Sequence, residues 1–212
     1  MRIVVTRPQA QASSLVERLE RLGHEVVVCP LIEIEPLGDE PIDLGAYDWV
    51  VVTSPNGAAE LVRRLRGRLP RVAAIGPGTT AVLRTHGIEP ALAPRVSTQE
   101  GLLAEFPRPP GRVAFAGAED ARRVLIDELS ADFIPLYRTI ERRPPTFPHG
   151  DLVLLTSASA ARAFGALELD LPALSIGPST SAAAKRFGVT VVAEAETHDL
   201  DGLIRAVAAR GR

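Results

Sequence analysis

Two short stretches carry the residue types that could do chemistry. Thr53-Ser54-Pro55-Asn56 follows the apolar run Trp49-Val50-Val51-Val52, and Thr156-Ser157-Ala158-Ser159 follows Leu152-Val153-Leu154-Leu155. An aspartate, Asp48 or Asp151, opens each copy. A second pair of turns repeats in the same order: Gly76-Pro77-Gly78-Thr79 and Gly177-Pro178-Ser179-Thr180. Apolar runs of this length fit strands buried on both faces, as in a parallel sheet. Hydroxyl and glycine residues at the carboxyl ends of such strands lie where open α/β sheets bind ligands. The helix that follows each turn opens with backbone N–H groups that lack intrahelical partners, and these attract anions. Ser54, Asn56, Gly76, Thr79, Ser157, Ser159, Gly177, Ser179 and Thr180 therefore form two candidate anion-receiving sets, with Gly117 at the end of a further strand. Ser, Thr and Asn are also preferred helix caps, so capping competes with binding at each position. Their appearance twice, at corresponding strand ends, favours binding.

Composition narrows the ligand. The chain has 212 residues, a formal charge of −2 and 24% charged residues. This balance disfavours nucleic acid as a partner. No apolar run is long enough to span a bilayer. Met1-Arg2-Ile3-Val4-Val5 enters a strand directly, without a signal-peptide pattern, so a cytoplasmic location is expected. The single cysteine, Cys29, excludes an internal disulfide and a cysteine-rich metal site. Its apolar strand suits a buried core thiol. His24, His86, His149 and His198 are scattered in loops and turns without metal-ligand spacing and are expected at the surface. Arg7, Arg122 and Arg138 are arginines that could pair with carboxylates, although Arg122 suits a solvated helix face. No phosphate-binding loop, nucleophile elbow or complete dinucleotide fingerprint is present.

The elements that position these residues alternate between strand and helix. Strands are expected at Arg2–Thr6, Val26–Val28, Asp48–Ser54, Arg71–Ile75, Glu89–Ala93, Arg112–Ala116, Asp151–Ser157, Ala173–Ile176 and Val189–Ala193. Helices are expected between them, including Asp120–Leu129 and a last one at Gly202–Ala209. This alternation predicts parallel sheets with right-handed crossovers. The second half of the chain repeats the first, with Gly101-Leu102 matching Gly202-Leu203 as well. Two long copies are too few for a solenoid.

Two segments break the plan. Leu31-Ile32-Glu33-Ile34-Glu35 alternates apolar and polar residues before Pro36, and Asp132 to Arg143 matches it. Alternation marks a strand with one wet face. A chain that leaves its sheet near Ile32–Pro36 and returns near Tyr137–Arg143 makes two α/β domains, the first discontinuous. The expected boundaries are 1–34 plus 142–212 and 38–137, with linkers near 35–37 and 138–141 forming a two-stranded ladder beside a cleft. A tandem split near residue 110 is the rival arrangement. Tyr137 breaks the duplication, since its counterpart is Ile32.

These residues resemble the uroporphyrinogen-III synthase family. The likeness rests on Thr6-Arg7-Pro8, the Pro30 to Pro36 exit, Thr53-Ser54-Pro55 and Ile75-Gly76-Pro77-Gly78-Thr79. It continues through Leu136-Tyr137-Arg138-Thr139, Leu155-Thr156-Ser157-Ala158-Ser159 and Ile176-Gly177-Pro178-Ser179-Thr180. The resemblance implies two flavodoxin-like domains joined by a ladder, and closure of the linear tetrapyrrole hydroxymethylbilane to uroporphyrinogen III with inversion of ring D. It implies no cofactor and no metal. Tyr137 is implied in catalysis, donating a hydrogen bond to the departing hydroxyl. The strand-end residues above, with Arg7 and Gly117, would receive the substrate carboxylates. A monomer is expected, with transient contact with the upstream deaminase left open. Rival readings are a non-catalytic two-domain binder of a small anion and a flavodoxin-like or receiver-like module. The receiver lacks its clustered acids, since Thr6-Arg7 stands at the first strand's end.

Overall fold

The computed structural model describes residues 1–210. Gly211 and Arg212, the end of the expected first domain, lie outside the described residues. The chain begins with β1 (Arg2–Val5), α1 (Ser13–Arg21) and β2 (Glu25–Val28), then β3 (Ile32–Pro36) and β4 (Ile42–Asp43). It continues with β5 (Trp49–Val52), α2 (Pro55–Arg64), β6 (Leu65–Arg66), β7 (Arg71–Ala74), α3 (Pro77–Thr85) and α4 (Gln99–Glu105). Next come β8 (Val113–Ala118), α5 (Val124–Glu128), β9 (Asp132–Glu141), β10 (Leu152–Leu155) and α6 (Ala158–Gly165). The last elements are β11 (Ala173–Ser175), α7 (Pro178–Arg186), β12 (Val191–Glu194) and α8 (Leu200–Arg210).

The chain divides into two compact units, Met1–Glu33 with the residues from Thr139 onward, and Ile34–Arg138. The first unit holds a five-stranded sheet in the order β12-β11-β10-β1-β2, with every pair parallel. Its inner strands β1, β10 and β11 are buried on both faces because alternate residues serve opposite cores. Val4, Val153 and Leu155 pack with Phe164 and Leu31 on one side, and Ile3, Val5, Leu152 and Leu154 pack with Leu15, Leu19 and Leu203 on the other. The second unit repeats this design in the sheet order β3-β9-β8-β5-β7. Val50 and Val52 face Leu61, Leu83 and Leu136, while Trp49 and Val51 face Phe106, Leu102 and Phe115.

β3 and β9 pair at their two ends. The Arg142 amide donates to the Leu31 carbonyl and the Leu37 amide to the Leu136 carbonyl. Residue numbers that rise along one strand fall along the other, so the two strands are antiparallel. Salt bridges flank the ladder, Arg142 with Glu33 and Arg138 with Glu35.

Two expectations need correction. The strand expected at Glu89–Ala93 is a single bridge, Ala73 to Leu92. Pro90 cannot donate to a ladder, and Pro94 closes the segment. Its counterpart β12 has no proline and forms a full strand. The helix expected at Asp120–Leu129 is only Val124–Glu128, because the chain first makes a turn in which the Ala121 amide donates to the Ala118 carbonyl. The pairing of β4 with β6 has too few residues to show a pattern in the sequence.

Candidate active site

In the second unit the candidate residues gather at the carboxyl ends of β5, β7, β8 and β9. Ser54 is the N-cap of α2, and its Oγ accepts a hydrogen bond from the Gly57 amide at 3.0 Å. Pro55 follows at the first helical position, where its missing N–H costs nothing. Gly76, at φ 86°, turns the chain from β7 into α3 in a conformation that suits glycine. A side chain on Gly78 would touch Pro55, so the starts of α2 and α3 lie against one another. Asn56, in the first turn of α2, is half-buried. Thr79 is buried.

Tyr137 joins this edge from β9. Its hydroxyl lies 2.8 Å from Ser54 Oγ. The position depends on an irregularity between β8 and β9. Gly117 pairs with Pro135, but Ala118 pairs with Tyr137, so Leu136 is an extra residue in β9. A bulge of this kind re-aims side chains. Leu136 and Tyr137, adjacent in sequence, consequently pack in the same core with Val50 and Val52. Gly117 lies inside β8 rather than after it, and a Cβ there would press on the Phe115 ring. The strand thus runs one residue past the position expected to end it. The next loop is tied in by the Glu119 amide, which donates to the Tyr137 carbonyl at 2.8 Å.

Burial of the Tyr137 phenol raises its pKa above the usual value, and the negative charge of Asp120 pushes the same way. The hydrogen bond with Ser54 opposes both. The phenol is therefore protonated throughout the neutral range, as a hydrogen-bond donor must be.

The first unit builds its edge from the same parts. Ser157 caps α6, accepting from the Ala160 amide at 3.1 Å. Ser159 is half-buried, and its hydroxyl lies 3.5 Å from the Arg162 guanidinium. Gly177 precedes α7 beneath the His198 side chain, which would meet a Cβ placed there. Ser179 is exposed and Thr180 is buried. Arg7 follows β1, and burial lowers its pKa. Its guanidinium meets Gln11 at 3.4 Å, and among the described residues it has no carboxylate partner. Arg122 and Arg138, by contrast, are already paired, with Glu100 and Glu35.

The registers fix the correspondence between the units. In the first, Val5 pairs with Leu154 and Val28; in the second, Phe115 pairs with Val51 and Phe133. Ile32 stands as far beyond Val28 as Tyr137 stands beyond Phe133, so an aliphatic side chain occupies the place of the phenol. Sequence reasoning missed a polar chain in the first unit, Ser175 to Ser181 to Glu194. Ser175, a lone polar residue in an apolar strand, was its signal. Among the described residues no group of acids, histidines and cysteines is arranged to hold a metal, and no helix is long and apolar enough to cross a membrane.

The sequence model described as uroporphyrinogen-III synthase HemD matches residues 13–205. The chain belongs to the uroporphyrinogen-III synthase family. A putative uroporphyrinogen-III synthase of Methanocaldococcus jannaschii is 24% identical over 98% of this chain and 98% of its own length. The uroporphyrinogen-III synthase of Chlorobaculum parvum is 28% identical over 97% of each. Among solved structures, the uroporphyrinogen-III synthetase of Helicobacter pylori superposes with a TM-score of 0.66 at 18% identity, over 100% of both chains. A mutant uroporphyrinogen III synthase of Thermus thermophilus gives 0.65 at 15%, also over 100% of both. At these identities the structural likeness speaks for the mixed α/β fold with parallel sheets.

Proposed function

We propose that this chain closes hydroxymethylbilane to uroporphyrinogen III with inversion of ring D. The observation that carries the reading is the family match over residues 13–205. The site is consistent with it. A ligand rich in carboxylates can be held by a weakly acidic protein through helix-start amides, which supply positive potential without net charge. Ser54, Asn56, Gly76 and Thr79 would contribute from one unit, and Ser157, Ser159, Gly177, Ser179 and Thr180 from the other. Arg7 would add the charge, since among the described residues it has no carboxylate partner. The two compact units act as two domains in this reading, with linkers near 35–37 and 138–141. The chain works as a cytoplasmic monomer without a cofactor.

Tyr137 is the proposed acid. As the C–O bond of the hydroxymethyl group breaks, the oxygen leaves with the bonding pair and takes a proton from the phenol, departing as water. The terminal pyrrole becomes an azafulvene, and its N–H proton restores the phenol. The bilane also closes unaided to the type I isomer, so the protein's larger task is to present the substituted carbon of ring D to attack. Positioning of that kind lowers barriers by several kcal/mol. The test is to mix the protein with freshly made hydroxymethylbilane and separate the product isomers. Mostly type III product is expected. Mostly type I product would reject the enzyme and leave the binder of a small anion.

A further inference from the structure

The hydroxyl pair Ser54–Tyr137 holds more than a contact distance. Ser54 Oγ already accepts from the Gly57 amide, which is one of the free donors at the start of α2. One proton and one lone pair remain on that oxygen. Tyr137 Oη is the only further partner that the structure gives it among the described residues. Two proton orders are open to the pair. In one, the phenol donates to the serine, and its proton is withheld from any ligand. In the other, the serine donates to the phenol oxygen, and the phenol O–H points elsewhere.

The geometry points to Ser54 as the positioning residue of the proposed acid: its hydroxyl passes the polarity of the α2 start from the Gly57 amide to the Tyr137 oxygen, freeing the phenol proton for the leaving hydroxyl. This inference rests on the proposed reaction. The physical content is a chain of three aligned donors, Gly57 N–H to Ser54 O–H to Tyr137 O–H. Each hydrogen bond polarises the next. The first donor sits at the positive end of a ten-residue helix. A donor to the phenol oxygen also stabilises its anion, which makes the phenol the stronger acid. In the first unit Ser157 caps α6 in the same way, but the corresponding place on the other strand holds Ile32, so that serine has no phenol to serve.

Capping and donation can be separated. Ser54→Ala loses both. Ser54→Asp keeps a capping oxygen but has no proton to give, and it would draw the phenol proton toward itself. Ser54→Thr keeps both. The chain has two tyrosines, so in a Tyr47→Phe background the alkaline rise of tyrosinate absorbance reports Tyr137 alone. Asp120, after β8, is the charge that acts on the phenol, and it is unchanged in every variant. The nearby Glu35 and Glu119 act on Arg138 instead.

Ser54→Ala and Ser54→Asp are expected to move the tyrosinate transition to higher pH and to lower kcat about tenfold with little change in KM, while Ser54→Thr restores both. In a Tyr137→Phe background, Ser54→Ala should cost no further rate. A transition that stays in place in folded Ser54→Asp, or rate losses that multiply in the double variant, would overturn the inference and reduce Ser54 to a helix cap. Those outcomes leave the reaction itself standing. Should Tyr137→Phe retain full rate, the phenol is not the acid and Ser54 has nothing to position. Should the unaltered protein give type I product, the proposed function fails by its own test. Circular dichroism on each variant establishes the folded fraction used to normalise kcat.

Discussion

Ser54 and Ser157 each follow a threonine at the end of an apolar strand and cap the helix that comes next. One of them reaches a phenol and the other does not. The duplicated design therefore supplies two strand-end edges of one kind, both candidates for receiving anions in the proposed function, and a single departure places a phenol beside the serine of one of them. The departure is the tyrosine itself, since the first unit carries an irregularity of the same kind: the Cys29 amide donates to the Val5 carbonyl and the Leu31 amide to the Thr6 carbonyl, two residues of one strand against one of the other. In the proposed function the shared parts bind and the added phenol does the chemistry.

The comparison can be broken most sharply at the phenol. Tyr137→Phe should lower kcat about a hundredfold, the scale of one lost proton donor, while the product remains mostly type III. Steady-state rates and isomer separation check it, and an unchanged rate would make the two edges equivalent. The same variant has a stability signature. The folded pKa of Tyr137 lies above its unfolded value, so its contribution is full below about pH 10 and is lost as pH rises through the folded value. Tyr137→Phe should remove that part of the alkaline destabilisation, as read by urea unfolding across pH.

The next prediction concerns what the units share. Gly101 and Gly202 each sit where a Cβ would run into the carbonyl of a preceding loop, Val96 or Thr197. Alanine at either should destabilise its unit by about 2 kcal/mol through overpacking. Matching losses in chemical unfolding would show that the two loops are built alike. The caps of those helices differ in charge: Thr98 Oγ1 accepts from the Gly101 amide and Asp199 Oδ1 from the Gly202 amide. Their alanine variants should each cost about 1 kcal/mol, and only the Asp199 loss should shrink with added salt. The smallest effect is expected at the exposed pair Arg138–Glu35, where Glu35→Gln should change stability by less than about 1 kcal/mol.

Much of this was legible in the chain itself. The uninterrupted apolar runs at Trp49–Val52 and Leu152–Leu155 marked strands covered on both faces, and Ser-Pro or Ser-Ala behind them marked helix starts. The alternation at Ile32–Glu35 marked a strand of another kind. What stayed hidden depended on long-range pairing. The bond between Ser54 and Tyr137 joins residues far apart in sequence, and the local difference between Ser54 and Ser157, proline or alanine as the next residue, carries no sign of it. The bulge at Gly117 and Ala118 is a property of two strands together, so the glycine read alone resembled a strand end. Pro90 and Pro94 were visible, yet the apolar Ala91-Leu92-Ala93 between them outweighed their veto on ladder hydrogen bonds.

The place of β1 in its sheet has a consequence for synthesis. It lies between β2 and β10, and β10 leaves the ribosome only after the whole of Ile34–Arg138 has been made. Every strand that completes the second unit is already contiguous by then. The opening segment thus waits as an apolar hairpin-sized fragment with one flank unpaired, while the later-born unit can collapse first. Until β10 arrives, Ile3 to Val5 lack the partners that Leu152 to Leu154 provide on one side of the strand.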